Sequence, residues 1–345
     1  MDRSTFTPHV ACLQPGGFRF EELRACGVPI LEIPMRSFLS RDFLSAANQF
    51  RLYLHRHKIR LVHAFDFTAN VFAPLLARCF RTPVVLSSQR CYWELVPRRY
   101  RLPIQIAHRL ADGVLVNCEA LRRHVIAECA VPARKIHVCY NGLDTAVFRP
   151  LPRSRPPALR QASVVVGVTC VLRPEKDLPT LLEAFARLRQ RHPAAHLVVV
   201  GSGPEAPGLQ RCSVDLGIRD ACLFQPATSE VAAWLQAIDI FVLPSTSEAL
   251  SNSLMEAMAC GCCALASRVG GNPELVSHRR TGLLFEPGNP ADLADQLHAV
   301  VENATLRQDL AQAGAAYMAE NFSLSTTTNR LQMLYEAFLT GQAVG

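Results

Sequence analysis

The sequence lacks an apolar run long enough to cross a membrane. A spanning helix needs about 20 consecutive apolar residues, and the apolar run at residues 164–172 is too short and favours a core strand. The start of the chain, MDRSTFTPHV, also lacks the hydrophobic segment of an export signal. These absences predict a cytoplasmic protein, and they leave open a peripheral position on the inner face of the membrane.

Zinc motifs are missing as well. The 13 cysteines are scattered, and many lie within apolar runs. Cys260, Cys262 and Cys263 lie close together, but no second Cys/His pair accompanies them at the spacing of a zinc site. We therefore expect reduced, buried thiols and no metal site.

Acidic residues are fewer than basic ones, and charged residues as a whole are modest in number. Charged residues make up 19% and apolar residues 49% of the chain, which is a globular composition. The net charge of +7 favours an anionic partner, either nucleotide phosphates, an anionic membrane surface or nucleic acid. Nucleic acid is not expected, because no recognition motif is present and no aromatic residues interleave with the basic ones.

What the sequence does contain is a regular alternation of predicted strands and helices over both halves. This alternation predicts parallel, doubly wound α/β sheets, and 345 residues are enough for two domains. Residues 148–157 are rich in proline and arginine and form the predicted linker. The expected domains are residues 1–150 and 151–325, with a C-terminal helix at 326–345 that returns to the first domain.

The most informative stretch is residues 239–271. It predicts a buried strand, a polar turn, a helix that stops at Gly261, a second strand and a glycine loop. Glu248 lies in the turn and Glu256 in the first turn of the helix, so both can face one pocket at the carboxyl end of a parallel strand. Free amides at the helix start suit phosphate, so the pocket suits a nucleotide sugar. Alternatively, Ser253 and Glu256 form a capping box.

Two further segments follow predicted strands. Arg173 and Lys176 precede a helix, where two cations can neutralise a diphosphate, although a solvated charged loop is the alternative. Gly201 and Gly203 allow close approach of a ligand to the backbone, although a plain turn explains such a short glycine pair better.

The central stretch resembles the signature of the retaining glycosyltransferases of family 4. The matching residues are Glu248, Glu256, the helix end Ala257-Met258-Ala259-Cys260-Gly261 and the loop Val269-Gly270-Gly271. The resemblance implies a GT-B fold, in which two Rossmann-like domains face each other across a cleft. It also implies transfer of a sugar from a nucleotide-diphosphate donor, with no cofactor and no metal.

The same resemblance implies a role for each candidate residue. Glu248 would bind sugar hydroxyls and Glu256 the ribose hydroxyls, while Arg173 and Lys176 would neutralise the diphosphate. Arg173 lies two residues beyond the usual arginine position. The backbone of Leu250, Ser251, Asn252 and Ser253 would meet the distal phosphate, and Gly201 and Gly203 would lie beside the base.

The first half departs from the family pattern. Gly16-Gly17 fits the second strand unit better than the first, so a first strand and its glycine loop are expected to be missing. Residues 87–90, Ser-Ser-Gln-Arg, lack the histidine of many relatives. His63 and His108 are more easily explained as structural residues. The basic, part-apolar residues 98–109 suit either an anionic membrane surface or a solvated helix face.

The resemblance thus implies a retaining glycosyltransferase that acts on a surface glycan or a lipid-linked glycan. The alternative is a nucleotide-sugar-binding protein without turnover, because the first domain is incomplete.

Overall fold

The computed structural model describes residues 2–16, 20–35, 37–38, 41–152 and 154–342. Within these ranges the chain forms two compact units. Unit 1 comprises residues 1–117, 121–139 and 328–345, and unit 2 comprises residues 118–120 and 140–327. The predicted linker at 148–157 falls within unit 2. Gly17 of the predicted glycine pair and Arg153 of the linker lie outside the described residues.

Unit 1 contains two parallel sheets. Strands β1 (Val10–Cys12) and β2 (Ile30–Glu32) pair with each other, with Val10 opposite Ile30. A four-stranded sheet has the order β3-β4-β5-β6, formed by β3 (Leu61–Ala64), β4 (Val84–Gln89), β5 (Gly113–Val116) and β6 (Ile136–Val138). Residues of β1 and β3 line one cavity together with Phe50 and Phe72. The expected absence of a first strand stays a prediction.

The helices of unit 1 cover these sheets with apolar faces. Phe50 and Phe72, from two successive helices, are buried in the same cluster as Ile33 and Val85. The helices are α1 (Phe20–Ala25), α2 (Asp42–Arg56), α3 (Phe67–Cys79), α4 (Arg98–Leu110) and α5 (Glu119–Glu128), with 3₁₀ turns at Trp93–Leu95 and Ala133–Lys135. The first two residues of α5 belong to unit 2, and the rest of the helix belongs to unit 1.

Unit 2 is built on a six-stranded parallel sheet. Its strands are rich in valine, isoleucine and leucine and are mostly buried, as expected for a sheet covered by helices on both faces. The order is β12-β11-β10-β7-β8-β9, formed by β7 (Val164–Thr169), β8 (Ala195–Val200), β9 (Cys222–Gln225), β10 (Ile240–Leu243), β11 (Cys263–Ser267) and β12 (Leu283–Phe285).

The strand order of unit 2 reverses between β7 and β10. The chain leaves β7 toward β8 and β9, and then returns to the other side of β7 as β10. The loops that follow β7 and β10 therefore lead away in opposite directions from the carboxyl ends of these two strands. This switch point is where open α/β sheets bind their ligands.

The helices of unit 2 connect these strands in the usual alternation. They are α6 (Leu178–Arg191), α7 (Ala206–Asp215), α8 (Val231–Ala237), α9 (Asn252–Ala259), α10 (Asn272–Leu275), α11 (Pro290–Glu302) and α12 (Ala304–Asn321), with 3₁₀ turns at Pro157–Leu159, Pro174–Lys176 and Arg219–Ala221.

The last helix, α13 (Leu324–Thr340), starts in unit 2 and contributes its residues from Thr328 onward to unit 1. There Tyr335 and Phe338 pack in one apolar cluster with Leu86 and Leu115. Gly113 leaves room for this packing, because a Cβ at that position would lie 2.5 Å from Phe338 Cζ. Within the described part of the chain, no helix is long and apolar enough to cross a membrane.

Candidate functional site

Lys176 and Glu248 meet at the switch point of unit 2. Lys176 ends the 3₁₀ turn that follows β7, and Glu248 lies in the loop that follows β10. Lys176 Nζ donates to Glu248 Oε2 at 2.5 Å, and the two side chains are only 18% and 13% exposed. Because both groups are shielded from water, the pair presents a defined cation and carboxylate at the carboxyl edge of the sheet.

The two loops that carry this pair are tied together by their backbones. Thr246 N donates to the carbonyl oxygen of Glu175 at 2.9 Å. Ser245 Oγ donates to Glu248 Oε2 at 3.2 Å, so the same carboxylate oxygen accepts from both Ser245 and Lys176. Ser267 Oγ donates in turn to the carbonyl oxygen of Ser245 at 2.6 Å. Two hydrogen bonds thus orient Glu248, and no sequence pattern indicated that Ser245 takes part.

The thiol of Cys170 interacts electrostatically with this pair, and burial favours its neutral form. Burial raises the pKa of Cys170 to about 11, with Lys176 opposing the shift and Glu248 and Glu175 adding to it. The thiol is therefore protonated at neutral pH. Only the deprotonated thiolate is a good nucleophile, so this form is disfavoured here.

Helix α9 begins beside Glu248, and its cap differs from the one that the sequence suggested. Ser251 is the N-cap, and its Oγ accepts from Leu254 N at 3.3 Å. A capping box at Ser253 and Glu256 is therefore wrong, because Glu256 lies two residues beyond the position that such a box requires. The amides of Asn252 and Ser253 come first in the helix, where no intrahelical acceptor exists, and the dipole adds positive potential there.

The four residues predicted to meet phosphate differ in exposure. Leu250 and Ser251 are buried, at 5% and 3% exposure, Ser253 is half-buried and Asn252 is exposed. The side chain of Asn252 is held by Asn141, whose Nδ2 donates to Asn252 Oδ1 at 2.7 Å. The segment that leads into α9 is thus rigidly placed, while its first helical residue remains accessible.

Arg173 is placed differently from Lys176. Its side chain is 59% exposed and lies 3.9 Å from Glu175 Oε1. The structure therefore brings Lys176 and Glu248 together and leaves Arg173 at the solvent-facing side of the same turn. A diphosphate role for Arg173 stays a prediction.

Gly201 and Gly203 are needed for backbone packing. A Cβ at Gly201 would lie 1.9 Å from Cys170 O, and one at Gly203 would lie 2.3 Å from Leu172 O. Gly201 also has a φ of +149°, a conformation that favours glycine. The loop after β8 consequently rests directly on residues 170–172, which lead into the turn that carries Lys176. Their predicted place beside a nucleotide base stays a prediction.

Glu274 accepts hydrogen bonds from three donors, and no sequence pattern predicted this network. Its carboxylate accepts from Glu119 N at 2.9 Å, Ala120 N at 2.8 Å and Tyr140 Oη at 2.9 Å. Burial, followed by the hydrogen bond to Glu274, raises the pKa of Tyr140 above its usual range. The partners of Glu274 are far from it in sequence, so only the fold could identify them.

His63 and His108, the two histidines of unit 1 that the sequence singled out, have structural partners. His63 bonds through its ring nitrogens to Tyr335 Oη and Ser88 Oγ, each at 2.7 Å, and burial lowers its pKa to about 3. His108 is fully buried, its Nδ1 lies 2.8 Å from Ser87 Oγ, and burial lowers its pKa to about 4. Both rings are neutral at pH 7 and already engaged, as the sequence analysis expected.

Unit 2 has a doubly wound parallel sheet, with a cation and a carboxylate across its switch point and a helix N-terminus beside them. This arrangement is typical of nucleotide-binding α/β domains. Comparison with known proteins narrows this class. Residues 155–317 match the family model "Glycosyl transferases group 1", and residues 1–147 match "Glycosyltransferase Family 4". A D-inositol 3-phosphate glycosyltransferase of Corynebacterium efficiens is 30% identical over 311 residues, which are 83% of this chain and 73% of the relative. The chain belongs to glycosyltransferase family 4.

Another relative agrees with the family assignment, and two solved structures share the fold. A D-inositol 3-phosphate glycosyltransferase of Pseudarthrobacter chlorophenolicus is 32% identical over 64% of this chain, and the chain spans 55% of that relative's length. Anabaena HepE, solved in complex with UDP, has a TM-score of 0.82 at 21% identity over 95% of this chain and 92% of that one. A glycosyltransferase of Rickettsia africae has a TM-score of 0.83 at 18% identity, over 97% and 91%. These likenesses confirm the predicted GT-B fold class.

Proposed function

We propose that the chain is a retaining glycosyltransferase that moves a sugar from a nucleotide-diphosphate sugar to an acceptor hydroxyl. The observation that carries the proposal is the shielded pair of Lys176 and Glu248 at the switch point, beside the start of α9. A cation and free helix amides suit a diphosphate. A carboxylate that is already oriented suits the hydroxyls of a sugar.

The reaction breaks the bond between the anomeric carbon and the distal phosphate oxygen, and it forms a bond from the acceptor oxygen to the same face of that carbon. The electron pair of the broken bond leaves with the nucleoside diphosphate, whose phosphate takes the proton of the acceptor. Lys176 and the first amides of α9 stabilise the charge that develops on the leaving oxygens. This route needs no histidine, which agrees with the engaged and neutral rings of His63 and His108.

The remaining predicted residues serve donor binding in this proposal. Glu248 accepts hydrogen bonds from sugar hydroxyls and Glu256 from the ribose, while Arg173 adds a second, mobile cation at the solvent side of the diphosphate. Leu250, Ser251, Asn252 and Ser253 present their backbone to the distal phosphate. Gly201 and Gly203 form a wall beside the base. The donor is a substrate, and the proposal assigns no cofactor.

A turnover assay tests this proposal directly. The chain is incubated with a panel of nucleotide sugars, and released nucleoside diphosphate is measured with water alone and with glycan and glycolipid acceptors. NMR of the product then reports the anomeric configuration. We expect turnover of one donor with the configuration retained. An inverted product contradicts retention, and tight donor binding without release under any condition supports a nucleotide-sugar-binding protein instead.

We further propose that the acceptor is a growing surface glycan or a lipid-linked glycan, and that α4 rests on the anionic inner face of the membrane. Arg98, Leu102, Ile106 and Arg109 repeat at intervals of four, four and three residues, which places them on one helical face. All four are exposed, Leu102 at 66% and Ile106 at 45%. A basic and apolar stripe of this kind binds anionic lipid surfaces.

Sedimentation with lipid vesicles tests the membrane proposal. We expect binding to phosphatidylglycerol vesicles at low salt, weaker binding at high salt, and little binding to phosphatidylcholine. Leu102→Ser with Ile106→Ser should reduce binding at least about tenfold, since two buried apolar side chains contribute roughly 3 kcal/mol. Leu44→Ser removes an equally exposed leucine of α2 and should have no effect. Equal loss in both variants, or binding that ignores lipid charge, contradicts the proposal.

A further inference from the structure

Two histidines and a glutamate lie close together where the ends of two helices of unit 2 meet. His192 follows the last residue of α6, while His298 and Glu302 lie one turn apart near the end of α11. Their side chains are 25%, 16% and 52% exposed, so the two imidazoles are largely shielded and the carboxylate reaches solvent. The expectation of no metal site rested on the cysteines and on the family resemblance. It did not consider these three residues, because His192 is distant from the other pair along the chain and no zinc spacing marks them.

The ring nitrogens that face the carboxylate have no other partner. His192 Nε2 lies 3.4 Å and His298 Nδ1 lies 3.7 Å from the same oxygen, Glu302 Oε1. Both nitrogens are buried and make no hydrogen bond with any described residue. A buried polar atom without a partner is unfavourable, and two such atoms aimed at one carboxylate oxygen need an explanation.

The geometry matches the edges of a metal coordination sphere. Zinc binds imidazole nitrogen and carboxylate oxygen at about 2.0–2.2 Å, so tetrahedral ligands lie about 3.3–3.5 Å from one another. The distance of 3.4 Å equals this spacing and the distance of 3.7 Å exceeds it slightly, while all three ligand atoms lie within 4.8 Å of one another. Small side-chain shifts would bring the three atoms onto one ion. An i, i+4 pair on a helix gives two ligands on one face, and His192 supplies the third from a different element.

We propose that His192 Nε2, His298 Nδ1 and Glu302 bind a divalent first-row transition-metal ion, with Zn²⁺ as the best match. Two imidazoles and a carboxylate are a ligand set for zinc, with water completing the sphere at the exposed side. The ion would clamp the end of α6 to the end of α11. Because α6 has 14 residues and is therefore about 20 Å long, the site lies at the end opposite to Lys176 and is structural.

Metal binding is tested on the full chain after treatment with EDTA and removal of the chelator. Added ZnCl₂ should raise the Tm by roughly 5 °C at a free concentration about one hundred times the Kd. Glu302→Gln and His298→Gln should each lower the zinc affinity, measured by calorimetry, by at least about tenfold, since even outer partners of ligands have effects of that size. Glu302→Gln changes an exposed position, so it keeps the test valid if His298→Gln folds poorly.

Two controls separate this site from zinc bound by cysteines. His196→Gln, on β8 of the same unit, should leave the zinc affinity unchanged. Cobalt titration should give d–d bands without the charge-transfer band of a thiolate ligand. An unchanged Tm on zinc addition, an affinity that Glu302→Gln does not lower, or a thiolate band that accounts for all bound cobalt would each overturn the proposal. These readouts do not involve sugar transfer, so their outcome is independent of the proposed activity.

Discussion

Lys176→Ala is expected to lower kcat by about 10²–10³-fold, because removing one preorganised donor from a developing negative charge has an effect of this size. The Lys176 ammonium is only 18% exposed and is held by Glu248 at 2.5 Å, so no mobile surface lysine could replace it. Glu248→Gln should produce a comparable loss, since it removes the negative charge that pairs with Lys176 and leaves a weaker, neutral acceptor for sugar hydroxyls. The measurement is release of nucleoside diphosphate under saturating donor.

The combination of the two changes gives a sharper result than either alone. Groups that act as one unit are strongly non-additive, so the double variant should lose far less than the product of the two single effects. Asp220→Asn provides the control. This change removes the surface ion pair between Asp220 and Arg189. Asp220 lies in the 3₁₀ turn that directly precedes β9 and so lies at the amino ends of the strands, whereas the switch-point site lies at their carboxyl ends. We expect unchanged turnover for this control.

Full activity of Lys176→Ala in a folded protein would remove the charge-neutralising role from the proposal. If Lys176 and Glu248 had a purely structural role, the variants would differ from the unchanged chain in stability and not in kcat. In that case the variants would lose free energy of unfolding in urea, and the remaining folded molecules would turn over donor at the normal rate. Measuring kcat and unfolding on the same preparations therefore separates the two possibilities.

Local sequence patterns predicted most strands and helices of unit 2 and the strand ends that carry Glu248 and Lys176. The apolar runs, the glycine stops and the proline after β10 define strands and helices that the structure shows with shifts of a few residues. Glu248 and Lys176 could be assigned to strand ends, and parallel strands bring such ends to one edge. Their direct contact could not be predicted, because the neighbour relation of β7 and β10 is a property of the whole sheet.

Three features of the structure could not be predicted from local sequence patterns. Ser251 caps α9 although Ser253 has the better local pattern, because a cap is decided by the backbone conformation at the helix entry. Helix α4 carries Pro103 in its interior, and a proline there argues against a helix on local grounds. Glu274 has no recognisable motif, and its three donors come from residues 119, 120 and 140.

Alanine at Gly201 is expected to lower the free energy of unfolding by about 2–4 kcal/mol, which corresponds to a Tm lower by roughly 5–15 °C. The added Cβ would lie 1.9 Å from Cys170 O, and backbone cannot move aside as a flexible side chain can. The φ of +149° adds strain for any residue with a Cβ. Gly203→Ala should have a similar effect, since its Cβ would lie 2.3 Å from Leu172 O.

Gly208→Ala is the matched control and should change stability in the opposite direction. Gly208 lies in α7 with open space around it, so an alanine there should raise the free energy of unfolding by up to about 1 kcal/mol. Urea unfolding of the three variants measures these differences. If Gly201→Ala unfolds at the same urea concentration as the unchanged chain, the loop after β8 is not packed against residues 170–172 as described. If it is destabilised as expected, donor affinity should fall in the folded fraction too, because the segment displaced by the new Cβ leads directly into the turn that carries Lys176.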